Sequence, residues 1–113
     1  MRKITLFLPI LIFTACAVKL ALPLQADADR VSAKYPGYTL AQLSEGKSLF
    51  ENKCSTCHGL KKPTKLDEAQ WAHEVPDMAR KAERKAGKVV ITKDEQELIL
   101  KYLVTMGSEL RKK

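Results

Sequence analysis

Residues 54–58 read CSTCH, which places two thiols and an imidazole within one turn of chain. Three chemistries use such a cluster. A dithiol redox site of the thioredoxin type follows a strand in a βαβ setting, whereas the residues before Cys54 carry helical periodicity. A structural zinc site takes four ligands, normally Cys or His, and outside the motif only His73 remains, so a carboxylate would have to complete the set. Covalent haem attachment uses all three residues at this spacing. Cys54 and Cys57 each add across one vinyl group, and His58, adjoining Cys57, is directed at the iron as the proximal axial ligand.

The elements that must hold this motif are helical. Pro36-Gly37 marks a turn, and Thr39 with Gln42 reads as a capping box opening a helix through Leu40, Leu43, Leu49 and Phe50 toward Cys54. After a loop through Gly59 and Pro63, Asp67 with Gln70 repeats the start signal. Trp71, Val75, Met78 and Ala82 then recur on one helical face. Pro76 lies inside that run and predicts a kink or a restart. Gly87 ends it. Thr92 with Glu95 opens a last helix striped by Leu98, Ile99, Tyr102, Leu103 and Met106, which Gly107 is expected to close. The fold class is all-α. A folded unit of this size gains little from its own core, and a large apolar cofactor tethered by thioethers supplies the missing packing surface.

With CSTCH, the stretches GKSLF (46–50) and ILKYL (99–103) make the chain resemble the small single-haem c-type cytochromes over about residues 38–110. The resemblance implies a small fold of three to four helices around one covalently attached haem c. It also implies that the first and last helices cross closely, with Gly46 at the crossing and Phe50 and Tyr102 beside it.

What fills the second axial position decides between electron transfer and ligand binding. The candidates are His73, Met78 and Met106. Met106 continues the last apolar stripe and reads as core. His73 lies about 200° around a regular helix from Trp71 and so faces away from the Trp71, Val75, Met78 side. Met78 is on that side, and Trp-x-x-x-Val-x-x-Met is similar to a pattern in which the methionine is the distal ligand. A kink at Pro76 would instead bring His73 toward the iron. The Pro63 carbonyl offers an acceptor for the other ring nitrogen of His58.

The N-terminus has the layout of a secretory signal: Arg2 and Lys3, then an apolar stretch over 4–13, too short for a span of roughly 20 residues. FTAC (13–16) resembles the lipobox of bacterial lipoproteins, in which Cys16 is acylated and becomes the mature N-terminus. Ala26-x-Ala28 is a competing site that would release a soluble periplasmic protein. The lipobox lies directly behind the apolar run, and the division expected is signal 1–15, tether 16–35 and haem domain 36–113, on the periplasmic side of a bacterial membrane.

The formal charge is +7, with few aromatics and none interleaved with the basic residues. That composition lacks the stacking platform of a nucleic-acid binder and suits an acidic protein partner or an anionic membrane. Lys61, Lys62 and Lys65, with Arg80, Lys81, Arg84, Lys85 and Lys88, form either a positive rim around the haem edge or a solvated face with local pairs. The functional expectation is a one-electron carrier, not an enzyme, with His58 and Met78 on the iron. The alternative is haem-based gas sensing or peroxidase-like turnover at an open or labile sixth position.

Overall fold

The computed structural model describes residues 20–54 and 60–111, with the side chains of 109–111 excepted. Four α-helices follow one another: α1 (Gln25–Arg30), α2 (Leu40–Cys54), α3 (Glu68–Ala86) and α4 (Lys93–Arg111), with a 3-10 turn at Pro63–Lys65 ahead of α3. No strand occurs among the described residues, and the fold is all-α.

The three long helices start where short polar side chains satisfy their first N–H groups. Thr39 Oγ1 accepts from Gln42 N at 3.2 Å while Gln42 returns its side chain to Thr39 N at 3.1 Å. Asp67 with Gln70 and Thr92 with Glu95 repeat the reciprocal pair. α3 stops at Gly87, whose φ of 72° is the left-handed conformation that lets its N–H return to Glu83 O.

α3 runs through Pro76 without a restart. The missing proline N–H deprives the Ala72 carbonyl of its helical partner, and both residues are exposed, so water can serve that carbonyl. α4 likewise continues past Gly107. That glycine is a contact rather than a cap: a Cβ there would lie 2.7 Å from Pro63 O.

The core is the meeting of α2 and α4, closed on one side by α3. Leu43 and Phe50 of α2 pack with Ile99, Tyr102, Leu103 and Met106 of α4 and with Trp71, Val75 and Ala79 of α3. At the crossing Gly46 is indispensable in shape, because a Cβ would stand 2.3 Å from Leu98 O and 2.8 Å from Tyr102 Cβ. Phe50 sits between two aromatics, edge-on to Trp71 at 6.2 Å and tilted to Tyr102 at 6.0 Å.

Much of the stretch read as a tether is folded onto the body. α1 buries Ala28, Val31 packs behind it, and Arg30 donates to Thr105 O at 3.0 Å while pairing with Asp27. The reason it escapes periodicity is its length: six residues with one buried side chain show no apolar face.

Candidate functional site

α2 delivers Cys54 on its last turn, half-buried and without a disulfide partner among the described residues. Burial pushes its thiol up to about 11, so at neutral pH it is a neutral thiol rather than a reactive thiolate. Cys57 and His58 lie outside the described residues, as do Cys16 and the signal segment.

Beside Cys54 is an apolar hollow lined by Phe50, Leu60, Trp71 and Met78, with Lys61 and Glu74 at its mouth. Lys61 Nζ reaches Glu74 Oε1 at 3.4 Å there. Met78 and Leu60 touch the core without being covered by it, and so do Leu66, Ala82 and Val90. His73, by contrast, is exposed, and Met106 is buried in the core. Thus Met78 shares one hollow with Cys54, and His73 does not line it.

Two fixtures bracket the motif. On one side, Lys53 Nζ donates to both carboxylate oxygens of Glu95, at 2.8 and 2.9 Å, and to Val90 O at 2.8 Å. The Glu95 carboxylate also caps α4, and the Lys53 ammonium is the first cause holding it below the usual carboxylate range. On the other side, Trp71 Nε1 donates to the buried Pro63 carbonyl at 2.8 Å. The acceptor proposed for the second nitrogen of His58 is therefore already used by Trp71, and Gly107 stands against it.

Neither fixture was legible beforehand. Thr92 and Glu95 announce a cap, but nothing local says that the same carboxylate also receives a lysine from another helix. The Trp71–Pro63 bond spans eight residues, outside any helical or turn register.

The rim charges are partly spent on local pairs. Asp77 holds both Arg80 and Lys81, the latter at 2.8 Å. Among the described residues no group of three or more His, Cys, Asp or Glu could hold a metal ion, and no helix is long and apolar enough to cross a membrane.

Residues 43–90, from the middle of α2 through the motif and α3, match the family model described as cytochrome c. The match supports a small c-type cytochrome. Comparison with curated proteins and with solved structures returned no match. A cytochrome c domain binds haem c covalently. The lining matches such a group in chemistry, apolar within, charged at its mouth and bordered by a cysteine on a helix end, while its volume of about 40 Å³ takes in only an edge of one. α4 lies beyond the matched span yet supplies the crossing partner for Gly46, so the domain extends past residue 90.

Proposed function

We propose that the protein is an exported, lipid-anchored carrier of single electrons, with Cys54 and Cys57 bonded to the haem and His58 and Met78 as axial ligands. Haem c supplies an iron that changes oxidation state by one electron, and the chain's residues define its surroundings. The observation that carries the reading is the position of Met78, half-buried in the same hollow as Cys54, Phe50 and Trp71. Two protein ligands held in both oxidation states leave little to reorganise on transfer, and a thioether ligand raises the potential. No substrate bond is made or broken, and the partner is a redox protein. Its acidity rests on Lys62, Lys65, Arg84 and Lys88, since Lys61, Arg80 and Lys81 are engaged in pairs.

The test is a visible spectrum of the dithionite-reduced holoprotein before and after carbon monoxide. An unchanged low-spin spectrum supports ligation by two side chains, and Met78→Ala should then abolish it and lower the potential. A shift in the unsubstituted protein would overturn the carrier reading in favour of gas binding or peroxide chemistry, and an unchanged low-spin spectrum in Met78→Ala would overturn Met78 as the ligand.

A further inference from the structure

Few large apolar side chains stand in solvent among the described residues, and two of them are adjacent in the strap before α1: Leu22 is 75 % exposed and Leu24 59 %. They flank Pro23, which is buried, while Leu20 packs against the core. The strap thus grips the body with Leu20 and Pro23 and holds the two leucines outward. It is not free to turn them in. Leu24 N is bonded to Asp27 Oδ2 at 2.9 Å, Ala28 is 1 % exposed, and Arg30 ties α1 to the Thr105 carbonyl of α4.

We infer that Leu22 and Leu24 rest on a lipid surface and fix the orientation of the haem domain on it. The inference rests on the reading that Cys16 is acylated. Even fully extended, the chain from Cys16 to Leu20 reaches at most about 14 Å, so with Leu20 packed against the core the anchor lies close to the body. Its first exposed side chains must lie within reach of the headgroup and acyl boundary. Leucines pointing outward at that distance lose water-exposed area by entering it. Of the nearby acids, Asp27 is paired with Arg30, and Asp29, which keeps its charge, lies in α1 five residues beyond Leu24. The strap also bears on processing: cleavage after Ala28 would cut α1 at its one buried residue and remove Asp27 from Arg30. Since α1 is fastened to α4, contact at the leucines sets which face of the domain looks along the membrane. The partner it fits is then a redox protein resident in the same membrane.

The test uses the full chain with haem attached, reconstituted into vesicles of phosphatidylethanolamine and phosphatidylglycerol, beside a Leu22→Ser/Leu24→Ser variant. Flotation reports the anchor, and exchange of the Ala21, Leu22 and Leu24 amides, corrected for intrinsic rates, reports the surface, Pro23 having no N–H. The expected result is that both proteins float and that these amides exchange roughly tenfold more slowly in the unsubstituted chain, with α2 and α4 amides equal in the two. Flotation of both with equal exchange at Ala21, Leu22 and Leu24 would overturn the surface and leave the anchor standing. Failure of the unsubstituted chain to float removes the anchor, and the inference with it. Loss of co-purification with a membrane protein, with exchange in protein-free vesicles unaffected, would assign the leucines to a protein contact instead.

Discussion

The α2–α4 crossing and the hollow beside Cys54 share helix α2 but face different partners, α4 at the one and α3 at the other, and they are finished to different degrees. At the crossing Leu43, Ile99, Tyr102 and Leu103 are fully enclosed and the backbones approach so closely that Gly46 has no room for a methyl group. At the hollow, Leu60, Met78 and Cys54 are each only partly covered. The first region is closed by protein alone; the second leaves apolar side chains partly uncovered. The contrast separates residues that keep the fold from those that border the haem under the proposed function.

The sharpest break would come at the crossing. Gly46→Val should destabilise the protein by about 3 kcal/mol or more, since the new side chain meets backbone at Leu98 rather than a movable tip, and denaturant unfolding would show it. Next is removal of the cofactor by Cys54→Ala/Cys57→Ala. If the comparison holds, amides of α3 around Met78 lose at least about tenfold in exchange protection relative to those of α2 and α4 near Gly46. Equal losses would mean the crossing also depends on the haem.

Trp71→Phe tests the link between the two regions. It keeps the ring against Phe50 but leaves the buried Pro63 carbonyl without its donor, at a cost of about 1–3 kcal/mol by thermal unfolding. Glu95→Gln should have the smallest effect, about 1 kcal/mol, because the pair with Lys53 is partly exposed. Its signature is in pH. The Glu95 carboxyl is held below its ordinary range in the folded state, so its contribution is full above that range and is lost as pH falls toward the lowered value. The variant's stability should therefore decline less than the parent's across that acidic window.

The readable parts of this fold were those decided within a few residues. The three capping boxes and the stop at Gly87 were legible because the partners lie three or four positions apart. The side of α3 that faces the hollow was legible from the spacing of Trp71, Val75 and Met78. Gly107 shows the limit: a glycine near a helix end looks like a cap, and only the arrival of Pro63 reveals a contact. α1 fails for the opposite reason, since its role depends on Arg30 reaching a carbonyl far along the chain. Among the site residues, CSTCH announces its chemistry by composition, while Lys53 and Glu95 become a pair only through the fold.

The close approach of Gly46 to Leu98 and Tyr102 joins segments separated by about half the chain. As the polypeptide is made from its N-terminus, CSTCH emerges well before the last helix, and until α4 exists Phe50 and Trp71 have nothing to close against. That delay is a window in time. Throughout it the Gly46 face of α2 lacks the helix that later encloses it, so a chain truncated before α4 should leave Leu43 uncovered.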